Sequence, residues 1–526
     1  MRKHTVVLLA YLILALLLTL PLAAHLTSHV PGDGIDDPSL AWNLWWVKHA
    51  LVDQPQNPFD CTWQFWPVGI NLAFYTLTIL NGLLSVPLQT AFNVITAYNI
   101  LLLSSFVLGG FGAYLLCLDV LAPSRSSRFA SSGASRLRGP DLAAFLAGAL
   151  YAFASSKLFY ASLGQGNIAS SQWIPFAALY ILRTARPGGR VRDAALAALF
   201  IVFQAYAELT YASFLVIFAV LVAAWHLVRA VKDSGGQPKR QVSVRELLGP
   251  VSDRAPLARS ETGQSGFLDR LEGSAAPGRR LVFNLQSSIF NLVFRFALLA
   301  ALFAIGITPV LLNMLPDLAA EGDFFTSGGG FADLFSADLA GYALPTQLHP
   351  LLGDFVRGWS GRVAAGHTGA QFPVDKGQHI YVGYTALALA VIGVWHGRRR
   401  SDTWFWVTAT GLFFLLTLGS SLRVAGHDTG LPLPFRIMEQ LPFFKGNRYP
   451  SRYSVMLLAS LAPLVALGAA AVQRRFQAGL PSSAGRVLPL LLLPLLLFEH
   501  LSAPLPVFDL RVPALYQRVA EAPGDF

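Results

Sequence analysis

The chain has 526 residues, of which 54% are hydrophobic and 13% charged, and its mean hydropathy is +0.51. These values lie outside the range of soluble globular proteins, so they exclude that class and predict an all-α, polytopic membrane protein. The net charge of +10 does not indicate a nucleic-acid partner, because the basic residues occupy separate short loops without interleaved aromatic residues.

The first apolar segment, residues 6–24, predicts a retained membrane helix, because it ends in PLAAH, a poor signal-peptidase site. It leads into GDGIDD, which brings Asp33, Asp36 and Asp37 close together in sequence. One of these carboxylates could act as a base on an acceptor hydroxyl, and Asp36 with Asp37 could hold a divalent cation, Mg²⁺ or Mn²⁺. The structural alternative is a turn that starts at Asp33 and a helix cap at Asp37.

An aromatic stretch follows within the first outer loop, residues 25–76. Its members Trp42, Trp45, Trp46 and His49 recur at spacings of three and four residues, which predicts one face of a helix lying in the membrane interface. This helix could be a simple anchor, or it could hold the carboxylates near lipid headgroups.

The apolar segment 77–92 contains Asn81, Gly82, Pro87 and Gln89, so we interpret it as re-entrant or interfacial. Ten further apolar segments predict membrane helices, which gives about eleven spans in all. Their ranges are 94–120, 142–158, 168–182, 194–206, 211–231, 290–315, 380–395, 404–418, 453–472 and 487–500.

The charge distribution predicts the topology. With a cytoplasmic N-terminus, most of the 39 Lys and Arg residues fall on the cytoplasmic side and most of the 29 Asp and Glu residues on the outer side. Residues 1–505 then form one polytopic domain, and residues 506–526 form a short extracytoplasmic tail. The Ser-, Gly-, Pro- and Arg-rich stretch 232–280 predicts a flexible cytoplasmic connector, and 316–379 is a large outer loop.

Polar residues near the outer ends of the spans are candidates for sugar or cation contacts. Glu208 stands out because an ionisable group at membrane depth indicates function, although it could also be solvated at the end of a span. The candidates are Gln165, Asn167, Glu208, His349, His379 and Tyr381.

The loop LPFFKGNRYPSRY places Lys445, Arg448 and Arg452 just before a span. Arginine suits bidentate contacts with phosphate, so this loop could bind a lipid-linked phosphate. Alternatively it is an interfacial anchor, although the positive-inside tendency does not favour cations on the outer side.

Several segments resemble the GT-C superfamily of membrane glycosyltransferases, in particular its bacterial YfhO-like and mannosyltransferase-like members. They are DDPSLAWNLWWVKHAL, NPFDCTWQFWPVGINLAFYTLTILNGLLSVPL, SADLAGYALPTQLHPLLG, LPFFKGNRYPSRY and FEHLSAPLPV. The resemblance implies an inner-membrane enzyme that transfers a sugar from a polyprenyl-phosphate donor to a glycan, lipid or protein acceptor on the extracytoplasmic face.

The resemblance also implies roles for individual residues. Asp33, Asp36 or Asp37 would be the base, while Arg448 and Arg452 would hold the leaving phosphate. The tail 506–526 would correspond to the start of the soluble outer domain that often follows in relatives.

Two other classes remain open. A transporter or flippase of lipid-linked saccharides would also need outer arginines and Glu208, although no internal repeat is visible. A non-catalytic protein of envelope assembly is the third reading. Loss of the first-loop carboxylates should impair a transferase most, whereas loss of Glu208 should impair a transporter most.

Overall fold

The computed structural model describes residues 2–122, 139–235, 277–322, 332–365, 380–441, 444–477 and 484–522. Helices dominate this part of the chain, and the strands are short and paired in twos. The predicted all-α class is confirmed at this level.

The α-helices of the described residues are numbered in chain order. They are α1 (Arg2–Leu18), α2 (Asp37–Lys48), α3 (Ile79–Ala91), α4 (Val94–Leu121), α5 (Gly139–Ala152), α6 (Ser155–Ser162), α7 (Gly166–Ala169), α8 (Ile174–Ala185), α9 (Val191–Ala207), α10 (Leu209–Gly235), α11 (Pro277–Glu321), α12 (Gly353–Ala365), α13 (Tyr384–Gly397), α14 (Ser401–Thr417), α15 (Phe435–Met438), α16 (Ser454–Gln477), α17 (Ala484–Glu499) and α18 (Ala514–Ala520).

Three antiparallel strand pairs accompany the helices. They are β1 (His29–Pro31) with β6 (Val507–Asp509), β2 (Asp60–Cys61) with β3 (Ile70–Asn71), and β4 (Ser421–Val424) with β5 (His427–Pro432). In the first pair, Val30 lies opposite Phe508. Because β1 follows α1 and β6 follows α17, the ends of the first and last long helices lie on the same face of the protein.

Five helical stretches in the described residues are long and apolar enough to cross a membrane, which indicates a membrane-embedded protein. They are Val94–Leu121, Pro140–Ser162, Leu209–Lys232, Ile289–Glu321 and Pro450–Gln477.

The other six segments predicted as spans form helices of 12 to 17 residues. A 17-residue helix is about 26 Å long, somewhat less than the ~30 Å hydrocarbon core. In the first segment, α1 ends at Leu18, before Pro21, and residues 22–24 form a short 3₁₀ turn. Helix length alone therefore supports fewer spans than the eleven predicted from hydropathy.

Ion pairs join helix ends on one face, which we call the basic face. They connect helices that are distant in sequence and so fix the mutual placement of these helices, and the carboxylates of Asp119 and Asp141 are largely buried. They are Lys3–Asp141 (2.9 Å), Arg183–Asp119 (3.0 Å), Arg186–Asp119 (2.5 Å) and Arg229–Asp402 (3.1 Å). The opposite face carries β1, β6 and the acidic loop, and we call it the acidic face.

Helix α16 lies at the centre of the bundle and is buried along most of its length. It packs against α5, α13, α14 and α17. A Cβ added at Gly468 would lie 1.8 Å from the Leu389 carbonyl oxygen, and one at Gly393 would lie 2.1 Å from that of Leu464. These two glycines therefore allow α13 and α16 to cross with their backbones almost in contact.

The aromatic stretch of the first loop differs from the predicted interfacial face. The side chain of Trp46 is fully buried and its Nε1 donates to the Pro58 carbonyl oxygen at 2.9 Å. Trp42 stacks on Trp46 and Trp45 stacks on His49; the rings of Trp46 and His49 are buried, whereas Trp42 and Trp45 are half-buried. The helix is covered because α3 and α4 pack against it. The exposed aromatic residues lie instead on the β2–β3 loop, at Trp63, Phe65 and Trp66.

Three predicted boundaries shift. The connector predicted at 232–280 is helical at both ends, because α10 continues to Gly235 and α11 begins at Pro277, and 236–276 lie outside the described residues. The outer loop predicted from 316 begins later, since α11 continues to Glu321. The predicted tail, from 506, contributes β6 to a sheet with the first loop.

Segment 77–92, interpreted as re-entrant or interfacial, contains the 13-residue helix α3, which is about 20 Å long and too short to span a membrane.

Candidate active site on the acidic face

The acidic cluster forms where the chain turns from β1 into α2. Gly34 adopts a positive φ of +85°, a conformation that glycine reaches without strain. The Asp33 carboxylate accepts the Ile35 amide at 3.1 Å, as in an Asx-turn. Asp36 is the residue before the helix and its side chain makes no capping hydrogen bond, while Asp37 is the first residue of the helix, so the predicted cap at Asp37 is wrong. The Asp37 carboxylate instead accepts the Gly34 amide at 2.8 Å.

The three carboxylates differ in environment. Asp33 is exposed, Asp36 is half-buried and Asp37 is fully buried. The Oδ2 atom of Asp37 has no hydrogen-bond partner. Burial raises the pKa of Asp37, and the nearby charges of Asp33 and Asp36 raise it further, while backbone amides oppose this shift. The cluster therefore contains one carboxyl that favours its neutral form beside an accessible carboxylate.

Two glycines close around Asp37. A Cβ added at Gly32 would lie 2.4 Å from Asp37 Cγ, and one added at Gly164 would lie 2.5 Å from Asp37 Cβ. Gly164 belongs to the turn between α6 and α7, and its carbonyl oxygen accepts the Tyr98 hydroxyl at 2.9 Å. The start of α2 thus packs directly on this turn.

The α6–α7 turn supplies the polar partners of the cluster. Gln165 donates its amide to Asp36 Oδ2 at 2.7 Å, while its own Oε1 is buried without a hydrogen-bond partner. Asn167 donates to Glu208 Oε2 at 2.8 Å, and both side chains are buried. Four residues singled out from the sequence therefore meet in one polar layer, although their pairing could not be inferred from the sequence.

A cavity of about 20 Å³ lies beside this layer, between α2, α3, α4 and α7. Asn81, Tyr98, Asn167 and Ser170 are among its lining residues. The Asn81 amide donates to the Ser170 hydroxyl at 3.0 Å. The cavity has room for about one water molecule. The polar layer is therefore closely packed rather than open to a large pocket.

Arg452 approaches the same turn from the loop before α16. Its guanidinium lies 4.0 Å from the Tyr449 ring, and its Nε is buried without a hydrogen-bond partner. The side chain of Arg452 also hydrogen-bonds Tyr160. The Tyr160 carbonyl oxygen accepts the Gln165 amide at 3.0 Å, so Arg452 and Asp36 contact opposite ends of one short segment. Lys445 is half-buried and Arg448 is exposed on the same loop.

His349 and Tyr381 belong to a different place, the end of α17. His349 Nε2 donates to the Phe498 carbonyl oxygen at 3.1 Å, and its Nδ1 accepts two backbone amides at 3.2 Å. Burial lowers the pKa of His349. Tyr381 packs against the ring of His500. His379 lies outside the described residues.

These contacts make His349 a residue that organises the loop backbone. Both of its ring nitrogens are engaged by the chain, so neither is directed at a ligand. His500 contacts the backbone through one ring nitrogen, since its Nδ1 accepts the Ser155 amide at 3.1 Å. The predicted sugar or cation contacts at His349 and Tyr381 are thus separate from the acidic cluster.

Some polar residues of the site were not identified from the sequence. Tyr160 and Tyr98 resemble ordinary aromatic residues of apolar segments, and only the fold shows their contacts. Lys157 did carry a signal, because it is a lone charge in an apolar segment. It is buried, and its Nζ donates to the Ser105 carbonyl oxygen at 3.0 Å and lies 4.9 Å from the Phe106 ring centre.

The carboxylates do not form a chelating set. In the part of the chain that the structure describes, no group of three His, Cys, Asp or Glu side chains could hold a metal ion. One oxygen of Asp37 accepts the Gly34 amide, and one of Asp36 accepts the Gln165 amide. The divalent-cation site predicted at Asp36 and Asp37 does not fit this donor set, so we derive no step through a metal.

In comparisons with known proteins, no family model matches the chain and no curated protein matches it.

Proposed function

We propose that this protein is a GT-C-type glycosyltransferase that transfers a sugar from a polyprenyl-phosphate donor to an acceptor at the acidic face. The observation that carries the proposal is the arrangement around the α6–α7 turn. There a half-buried carboxylate, Asp36, and the guanidinium of Arg452, whose Nε has no hydrogen-bond partner among the described residues, contact opposite ends of residues 160–165. A base and a phosphate-binding cation within one site are what this transfer needs.

The proposed topology has eleven spans in the bacterial inner membrane, with the N-terminus in the cytoplasm and the C-terminus outside. Each of the eleven apolar segments contains a helix, and the charged helix ends that pair with one another lie on the basic face. The shorter helices could span where the bilayer thins locally. The acidic face is then extracytoplasmic, where the donor and the glycan, lipid or protein acceptor meet.

In the proposed reaction Asp36 is the base. Its carboxylate takes the proton of the acceptor hydroxyl, and the hydroxyl oxygen attacks the anomeric carbon of the donor sugar. The bond between that carbon and the phosphate oxygen breaks, and polyprenyl phosphate leaves with the bonding electrons. Arg452, with Arg448 and Lys445 on the same loop, stabilises the charge that develops on the phosphate.

The three aspartates would have distinct roles. Gln165 donates to one oxygen of Asp36 and so fixes the orientation of this carboxylate. Asp37 is a positioning residue, because its raised pKa makes it a poorer carboxylate while its bond to Gly34 fixes the loop. Asp33 is exposed and bonds only locally in the described contacts, to Ile35.

The test is release of polyprenyl phosphate from a panel of polyprenyl-phosphate sugars by the protein in lipid nanodiscs. Asp36→Asn should lower turnover about 10²- to 10⁴-fold with donor binding retained, because it removes the base and keeps the shape. Asp33→Asn is the matched control and should stay near wild type. Full turnover by Asp36→Asn, or no turnover of any donor by wild type, would overturn the proposal.

Buried Glu208 favours a second candidate, a transporter or flippase of lipid-linked saccharides. It is an ionisable group next to apolar helices and is held by Asn167. In proteoliposomes, a transporter would lose saccharide movement in Glu208→Gln while Asp36→Asn still moves its substrate. A transferase would show the opposite order of sensitivity in turnover.

A further inference from the structure

A long apolar groove runs along the lipid-facing side of the bundle, far from the acidic cluster in sequence. Its walls are the consecutive helices α13 and α14, and its floor is α16. Both wall helices pack closely on α16 but touch each other little, so they splay apart above it. Leu457, Leu461 and Leu464, at helical spacing on one side of α16, form the floor.

The groove has the size and chemistry of a binding site for a hydrocarbon chain. Its volume is about 740 Å³, within the range of pockets that hold small ligands. Apolar side chains such as Val391 and Phe414 line almost all of it. Val391 is 68% exposed, which shows that the side chains of the described residues leave this wall open. An apolar chain could therefore bury this surface.

The two ends of the groove differ in charge. At the acidic-face end, Tyr342 and Val382 line the groove. At the basic-face end lies Arg398, which starts the run Arg398, Arg399 and Arg400 in the turn between α13 and α14. All three arginines are exposed.

Arg398 is held in place at the mouth of the groove. Its guanidinium lies 4.5 Å from the Trp395 ring centre. The indole Nε1 of Trp404 donates to the Arg398 carbonyl oxygen at 3.0 Å. This hydrogen bond joins the end of α13 to the start of α14. Trp395 and Trp404 also line the groove, so two amphipathic rings stand at its basic end, as at a membrane interface.

We infer that this groove binds an anionic phospholipid from the leaflet at the basic face, with the phosphate at Arg398 and Arg399 and one acyl chain in the groove. Along α13, Leu387 lies about 16 Å from Arg398. One leaflet of hydrocarbon is about 15 Å deep, half of the ~30 Å core. The groove therefore matches a chain that enters from the basic-face interface. Basic pockets between membrane helices on this kind of face bind anionic headgroups.

The first test blocks the groove. A Cβ added at Gly411, a lining residue of α14, would meet no atom within 4 Å, so a larger side chain fits there without disturbing the packing. We expect Gly411→Leu to bind phosphatidylglycerol at least tenfold more weakly, measured by native mass spectrometry of the full chain. Gly361→Leu is the matched control, because Gly361 is also helical and also has open space at its Cβ.

The second test removes the headgroup partners. Each arginine near a lipid phosphate contributes about 1 kcal/mol, so Arg398→Gln with Arg399→Gln should weaken phosphatidylglycerol binding roughly 30-fold. Binding of zwitterionic phosphatidylcholine should change little. Arg192→Gln, an exposed position at the start of α9 near the basic face, is the control for lost charge.

Equal binding of phosphatidylglycerol and phosphatidylcholine by the wild type would overturn the inference. So would full phosphatidylglycerol binding by Gly411→Leu. Displacement of phosphatidylglycerol by polyprenyl phosphate, with no effect of the arginine substitutions, would assign the groove to the donor lipid instead. Turnover does not enter these measurements, so their outcome is independent of the proposed transferase activity.

Discussion

The side chain of Asp37 is enclosed in a site that disfavours its ionised form. Gly32 and Gly164 approach it so closely that neither could carry a side chain without displacement. Its carboxyl group accepts the Gly34 amide, and the second oxygen is buried with no hydrogen-bond partner among the described residues. An ionised carboxylate pays for lost hydration unless it is fully hydrogen-bonded, so the neutral acid suits this site better. Asp37 therefore stabilises the conformation of the loop in a site where its own ionised form is disfavoured.

This environment predicts a pH dependence of stability. The folded-state pKa of Asp37 is raised above the unfolded value, so the folded protein holds the proton to higher pH. Stability therefore falls as pH rises from about 4, near the unfolded pKa, through the folded pKa. Asp37→Asn removes this loss, so its unfolding temperature should exceed that of wild type increasingly as pH rises. Thermal unfolding across that range measures the difference.

The control for this experiment is Asp33→Asn. Asp33 is exposed and in the same loop, so its substitution should change the unfolding temperature by a similar amount at every pH. A difference between Asp37→Asn and wild type that stays constant with pH would mean that Asp37 ionises without cost in the folded protein.

At the residue level, the sequence predicted which polar groups are unusual but not which of them meet. Asp36, Gln165, Asn167 and Glu208 stood out because they interrupt apolar or turn sequence, and the fold brings them together. His349 stood out for the same reason, yet its ring bonds to backbone groups. A polar side chain near a membrane interface can satisfy either a ligand or the chain itself, and composition does not distinguish these cases.

At the element scale, hydropathy located the helices but not their ends. Apolar composition continues through α1 to Ala24, whereas the helix ends at Leu18, near Pro21. Conversely, α11 continues to Glu321, past the apolar segment. The burial of α2 was not predictable, because its helical spacing fits an interfacial face and a packed one equally well. Trp46 is buried because neighbouring helices pack against α2, and the spacing of the aromatic residues does not reveal this packing.

The β1–β6 pair joins residues that are far apart in sequence, 29–31 and 507–509, and it supports the acidic loop. The Gly32 amide donates to the Pro506 carbonyl oxygen at 3.1 Å, and a Cβ added at Gly34 would lie 2.9 Å from the ring of Phe508. A chain that ends at Leu505 loses this support. We expect its turnover to fall at least tenfold, because the base is no longer held in position. Release of polyprenyl phosphate is the measurement.

A second truncation provides the comparison. A chain that ends at Pro513 keeps β6 and loses only α18 and the residues after it. It should retain turnover within about twofold, since the contacts to Gly32 and Gly34 remain. Equal losses in the two truncated chains would assign the effect to α18 and not to the strand.

At the scale of the whole molecule, two faces of opposite character determine where each activity can take place. The basic face joins helix ends through Lys3, Arg183 and Arg229, while the acidic face carries the aspartates and the β1–β6 pair. The positive-inside tendency predicts that the basic face is cytoplasmic, which is the proposed orientation. The proposed transfer and the proposed lipid site then depend on opposite leaflets.

This orientation can be tested with single cysteines, because the native Cys61 and Cys117 are both buried and should not react. Val68 is 88% exposed on the β2–β3 loop, and Arg192 is exposed at the start of α9. With a membrane-impermeant maleimide on intact spheroplasts, Val68→Cys should be labelled and Arg192→Cys should not. Both should react after the membrane is permeabilised, and the unsubstituted chain should stay unlabelled throughout. Labelling of Arg192→Cys alone would mean that the orientation in the membrane is the reverse of the proposed one. The acidic cluster would then lie in the cytoplasm, where an extracytoplasmic transfer cannot occur.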